Sequence, residues 1–346
     1  MDIKKRHHFV SQFYLRNWLS DNKKLCIWDG KEKTFLSSTE NIAFRKSFYK
    51  LVPLTTEQIN LFHKLAEKCN FDKLSEYQSV ILPILELQQK FAAGKNLLKK
   101  LGVNRDSSNE DVFNEIDALE KQLDNNTMED KFSVSESKFN EIFKRIIENN
   151  GDVKLPLNFN DYDILVHFIA FQLAKTPQKF ERITDDDGSQ TRKNMMEEYE
   201  FSDDQYHVFT LYSLLCFSEQ LYNATMNRLD KINIYFNRSD IHFITSDDPC
   251  FNQKFEQGKF HVQIPISPKV MIELIENSDE NKQQMIEYYK FHQENREHLM
   301  VNDYLINFYE IYENEVNILN KKILENKHQF IYASCAEDIE NIKNIS

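Results

Sequence analysis

The chain opens on a short amphipathic run. Val10, Phe13, Tyr14, Asn17 and Trp18 recur at helical spacing, and four of the five form one apolar face. Ser11 stands where a first-turn or cap residue belongs, with His7 and His8 just ahead of it. Residues 25–28 and 34–36 then read as two strands turning at Asp29-Gly30, a hairpin. A long helical stretch follows. Thr55 or Thr56 caps a helix carrying Ile59, Phe62, Ala66 and Cys69. A second runs from about Phe71 to Leu101 through Leu74, Tyr77, Ile81 and Leu85, with a kink expected at Pro83 and an end at Gly102. Asn109 opens a third with Val112, Phe113, Ile116, Leu119 and Leu123, and Ser135 a fourth with Phe139, Ile142, Phe143 and Ile146, closed by Gly151. Asn160 opens a fifth, and Thr176-Pro177 breaks it. Residues 185–189 read as a loop and 203–229 as a sixth helix.

The period then changes from helical to alternating. Ile232, Ile234 and Phe236 alternate with Asn233 and Tyr235, and strands are expected at 241–245, 260–264 and 270–274. Residues 279–326 read as helix again and 329–333 as a closing strand. The pattern predicts an α+β fold: a mostly antiparallel sheet from the chain ends and residues 231–276, with a large helical middle at about 55–229 inside a single domain of residues 1–346.

Composition narrows the class. The 346 residues are 41% hydrophobic and 28% charged, enough for an ample core, and only six glycines and seven prolines favour long elements. The net charge of −12 opposes a generic nucleic-acid coat but leaves room for a local basic cleft, and Lys4, Lys5, Arg6 and Arg16 make the amino end basic. Five widely spaced cysteines without a Cys-x-x-Cys pair read as reduced thiols in a cytoplasmic protein. No apolar run approaches 18 residues, so neither signal peptide nor membrane partner is expected. Gly-x-Gly-x-x-Gly, P-loop and Gly-x-Ser-x-Gly patterns are missing, which sets aside Rossmann dehydrogenases, Walker ATPases and α/β-hydrolases.

Chemistry concentrates in two places. His7 and His8 precede the first helix, where a neutral imidazole would ligate a metal or take a proton. Asp247 and Asp248 end a hydrophobic strand, the kind of position from which a carboxylate reaches a cleft; an Asp-Pro turn is the plainer alternative. Tyr14, Arg16, Gln172 and Lys175 are candidate substrate-binding residues, with Arg6. The segment from Arg6 to Tyr14 is expected to meet the turn from Thr245 to Pro249, since both join dense polar groups to apolar runs.

The run from Arg6 to Trp18 resembles the opening signature of an uncharacterised family, domain-of-unknown-function family 4238. Asn41-Ile42-Ala43 with Phe48-Tyr49, Phe168 to Gln172 with Thr176-Pro177, Phe243 to Pro249, Ile264 to Pro268 and Phe330 to Tyr332 resemble its later blocks in order. Ser11 replaces a usual proline, and Lys175 stands where arginine is common, which removes a bidentate anion contact. The resemblance implies no activity.

Two functions are carried forward. One is an enzyme acting on a phosphate-bearing substrate, nucleic acid or nucleotide, by metal-assisted hydrolysis, of a type that suits a bacterial stress or defence effector. His7, His8, Asp247 and Asp248 would be its catalytic residues, His8 and Asp247 the ligands of a divalent metal (Mg or Mn), and Arg6, Arg16 and Lys175 the phosphate contacts. The other is a non-enzymatic module sensing a small anionic ligand or a partner protein.

Overall fold

Capping chemistry sets where the main helices begin. In the computed structural model, which describes residues 3–69, 78–103, 105–106, 108–151, 155–185, 188–252, 260–280 and 282–345, Thr55 and Gln58 exchange side-chain and backbone bonds to start α2 (Thr56–Lys68). Asn158 and Asp161 do the same for α5 (Phe159–Lys175), two residues before the expected Asn160, and Arg145 adds an ion pair to Asp161 at 2.6 Å. Proline sets the far end: α5 stops at Lys175 and α6 (Pro177–Asp185) begins after Thr176. The expected second helix is α3 (Gln78–Lys100); Phe71, Leu74 and Tyr77 lie outside the described residues. Gly102 follows it at φ +75°, where a left-handed residue ends a helix.

The third and fourth expected helices are one. α4 (Glu110–Asn149) runs 40 residues without a break. Residues 124–134 between the two apolar repeats hold no glycine or proline, and Thr127 and Ser133 bond back to the carbonyls of Leu123 and Glu129. Nothing there interrupts the ladder, so the change of apolar phase does not become a turn.

The chain forms two compact units. The first comprises Met1–His7, Arg45–Val134 and Lys179–Gln220 and is helical: α2, α3, the first part of α4, most of α6, α7 (Gly188–Glu198) and the first turns of α8 (Asp203–Arg228). Its core is aromatic, with Phe62 against Tyr212 at 4.7 Å and Phe48 against Phe180 at 4.7 Å.

The second unit comprises His8–Phe44, Ser135–Gln178 and Leu221–Ser346 and holds two sheets. One has four strands in the order β3-β2-β11-β6: β2 (Leu25–Trp28) and β3 (Thr34–Ser37) are the expected hairpin, β11 (Ile331–Ala333) the closing strand, and β6 is Thr245–Ser246. The other has five, β10-β5-β9-β8-β7: β5 (Lys231–Asn237), β7 (Phe251–Asn252), β8 (His261–Ser267), β9 (Val270–Ile275) and β10 (Ile306–Ile311). The strands therefore divide where one sheet was expected, while the α+β class with antiparallel and mixed sheets holds. Two departures have local causes. Residues 241–244 form no strand, because the Ile244 amide goes to the Asn320 side chain and the Phe243 amide to the Pro268 carbonyl. Within the stretch expected to be helical, β10 pairs in parallel with β5, its Ile306 and Asn307 opposite Ile232 and Asn233. Helices α9 (Lys282–Phe291) and α10 (Glu313–Asn326) flank it in sequence, and α11 (Ala336–Ile345) ends the chain. No described helix is long and apolar enough to cross a membrane.

The core of the second unit gathers around α5. Phe168 sits against Phe13, Tyr14, Phe139 and Phe143, so the first apolar stripe docks between α5 and the end of α4.

Candidate functional site

The two histidines part company. His7 lies in the first unit with both ring nitrogens occupied: Nδ1 accepts from the Tyr49 amide at 2.7 Å and Nε2 donates to the Lys4 carbonyl at 3.2 Å. Its ring stacks on Tyr49 at 5.7 Å. This network selects one neutral tautomer, and burial lowers the pKa, outweighing the opposing bonds to the backbone at Lys4 and Asn125. His7 thus spends both ring nitrogens on backbone groups of the first unit.

His8 lies in the second unit and is half-buried. Its Nε2 faces the Gln12 amide at 3.3 Å, and its ring tilts against Phe44 at 5.7 Å. Burial lowers its pKa first and the charge of Lys175 second; Glu136 and the backbone at Glu40 and Thr39 oppose them without prevailing. A ring kept neutral beside a cation is a proton acceptor.

The group around His8 is charged and mostly buried. Ser11 takes the N-cap place of α1 (Gln12–Arg16), yet its hydroxyl makes no capping bond; it donates to Glu136 Oε1 at 2.5 Å. Lys175 Nζ donates to the same Oε1 at 2.6 Å and to Ser11 Oγ at 3.3 Å, and lies 4.9 Å over the Phe171 ring. Only 2% of Lys175 is exposed. Its place in the last turn of α5 puts the ammonium where the helix dipole favours a cation, and Glu136 supplies the counter-charge that a buried ammonium requires.

The strand-end carboxylates have other partners. Asp247 accepts from the Gln329 amide at 2.9 Å and the His328 amide at 3.1 Å, and its own amide donates to the Phe330 carbonyl. Burial raises its pKa. Asp248 accepts from the Thr176 hydroxyl at 2.8 Å, next in sequence to Lys175, and its amide donates to Ser246 Oγ. Tyr14 makes the expected meeting of the two blocks, its hydroxyl 2.6 Å from Thr245 Oγ1 and donating to the Pro265 carbonyl. Gln172 reaches the Phe9 carbonyl at 3.5 Å. Arg16 is exposed and donates to Gln12 at 3.1 Å. Arg6 is exposed and belongs to the first unit.

Of the candidate residues, His8 and Lys175 thus share one cluster, and Asp248 joins its edge through Thr176. Tyr14, Gln172 and Asp247 hold backbone in place, and His7 and Arg6 belong to the other unit. No hydrogen bond or ion pair joins His8 to Asp247.

Two features escaped the sequence reading. Glu136 is one, although it precedes Phe139 and Phe143 by three and seven residues and so shares their buried stripe. The other is a polar row crossing the five-stranded sheet in register: Asn307, Asn233, Glu273 and Gln263. Glu273 Oε1 accepts from His261 at 2.5 Å and Gln263 at 2.6 Å, and Oε2 from Tyr235 at 2.5 Å and Asn233 at 2.9 Å. Burial pushes this carboxyl up, and the four donors outweigh it and hold the pKa at about 2. The signal was a polar residue directly between two apolar neighbours in each strand.

The fold and this interior cluster define an α+β protein with a buried lysine–carboxylate centre beside a neutral histidine. The chain belongs to the family described as Protein of unknown function (DUF4238), whose model matches residues 6–337. No curated protein and no solved structure matches it.

Proposed function

We propose that this protein is an enzyme acting on a phosphate-bearing substrate, a nucleotide or nucleic acid, at the cluster of His8, Ser11, Glu136 and Lys175. The observation that supports this reading is the buried Lys175 ammonium, bonded to Ser11 and Glu136 beside a histidine kept neutral. Lys175 supplies positive charge to a phosphate oxygen, His8 accepts a proton from the attacking water, and Asp248 fixes the end of α5 through Thr176. A divalent ion, Mg or Mn, would be held through His8 in the metal-assisted form of the reaction. Such a hydrolase would suit a bacterial stress or defence effector working in the cytoplasm.

The pure protein is incubated with DNA, RNA and nucleotides, with Mg²⁺, with Mn²⁺ and with chelator. Turnover of at least one substrate is expected; no turnover under any of these conditions removes the enzymatic reading. One observation favours a second reading, a sensor of a small anion: Glu136 already answers the charge of Lys175, so an anion would bind by replacing that carboxylate. Saturable nucleotide or phosphate binding without turnover selects it.

A further inference from the structure

A second group of side chains lies apart from this cluster, at the start of α11. His242, Cys335 and Asp338 each place one ligating atom within 4.8 Å of the others. They come from three different places: the irregular segment after β5, the residue ahead of α11 and its first turn. Each is held by independent bonds. Asn320 is wholly buried; its amide donates to the His242 carbonyl at 2.8 Å and its carbonyl accepts from Ile244 at 3.0 Å, so the backbone around His242 is clamped on both sides. Asp338 accepts from the Cys335 amide at 3.3 Å and lies 3.1 Å from His242 Nδ1, which fixes it toward both partners.

A further thiol lies nearby, outside that 4.8 Å group. Cys26 on β2 pairs with Ala333 on β11, two residues before Cys335. The two thiols are near enough to interact electrostatically, and Cys26 feels Asp338 as well. Two thiols, an imidazole and a carboxylate gathered from separate elements suit a borderline-soft ion of tetrahedral preference, and sulfur makes Mg or Mn a poor match.

We propose that Cys26, His242, Cys335 and Asp338 form a zinc site that ties the segment after β5 to α11 and to the four-stranded sheet. Binding displaces the thiol protons, and the His242–Asp338 contact gives way to two metal bonds. The site holds none of the residues of the proposed substrate cluster, so either reading can fail alone.

Cobalt(II) is the direct probe. The full chain is stripped with chelator and titrated with Co²⁺ under reducing conditions. One equivalent should give a thiolate-to-cobalt charge-transfer band in the near ultraviolet and tetrahedral d–d bands, and zinc should bleach both. Cys335→Ser should lower the charge-transfer band and leave the part carried by Cys26. His242→Asn, at a one-third exposed position, should keep the fold and weaken cobalt binding by more than about 100-fold, since losing an outer-shell partner alone costs roughly 10–100-fold. A folded wild-type chain that shows no charge-transfer band with one equivalent of Co²⁺ and retains no zinc after dialysis overturns the proposal. Unchanged cobalt affinity in folded His242→Asn overturns it equally.

Discussion

Replacing Phe168 by alanine is expected to cost about 4 kcal/mol of stability, the usual range for emptying a buried aromatic site. Phe168 is 1% exposed, and its ring centre lies 4.7 Å from Phe143, 5.2 Å from Phe139, 6.3 Å from Phe13 and 6.4 Å from Tyr14. It is the residue through which α5 packs on both the first apolar stripe and the end of α4. The neighbours are themselves aromatic and cannot collapse cheaply into the gap. Phe168→Leu keeps much of the volume and should cost roughly half as much. Urea unfolding measures both. A loss below about 1 kcal/mol for the alanine variant, far under the range for such cavities, would mean that this cluster does not hold the second unit together.

The second large effect is on Glu273 and depends on pH. Its carboxyl is held at about 2, below its usual 4.5. A lowered carboxylate pKa adds stability that is fully present above pH 4.5 and is lost as pH falls from there toward 2. A shift of this size corresponds to about 3 kcal/mol, an order-of-magnitude figure for a group as buried as Glu273. His7 and His8 act in the same sense at higher pH, since both pKa values are lowered from 6.5 and the neutral form that folding favours is lost on acidification below that value. Asp247 opposes them, because its raised pKa favours the protonated form in the folded chain. Glu273→Gln should be about 3 kcal/mol less stable than the wild type near neutral pH, with the gap narrowing as pH drops below 4.5. Unfolding curves at pH 7, 5, 4 and 3 check this; a gap that stays constant with pH would show that the ionised carboxylate is not what the four donors stabilise.

Much of the fold was legible because single residues enforce it. Pro177 ends α5, Thr55 starts α2 by local bonds, and the alternation of Ile232, Ile234 and Phe236 marks β5. What was lost depended on partners far along the chain. β10 is a strand because β5 offers it a parallel edge, and residues 241–244 are not because Asn320 takes an amide. The division into a five-stranded and a four-stranded sheet follows from which edges meet, which no local period records. The site divides the same way. The convergence of the amino-terminal block on the Thr245 turn followed from matching apolar faces and is made by Tyr14. That His7 is a backbone anchor while His8 faces a lysine could not be read, because neighbouring residues of one type differ only in what surrounds them: the Tyr49 amide for one, Lys175 and Glu136 for the other. Asp247 does not spend its carboxylate on a local Asp-Pro turn; it accepts from the His328 and Gln329 amides far along the chain.

Under the proposed function His8, held neutral beside Lys175, would transfer a proton in turnover, whereas His7 is bonded to backbone groups. The most direct measurement compares His8→Gln and His7→Gln with the wild type on whichever phosphate-bearing substrate is turned over, recording kcat/KM and the melting temperature together. His8→Gln is expected to stay folded with a melting temperature close to the wild type and to lose about 100-fold or more in kcat/KM, the usual contribution of a general base, while His7→Gln is expected to lose stability and keep its activity per folded molecule. A folded His8→Gln that turns over substrate as fast as the wild type would contradict it.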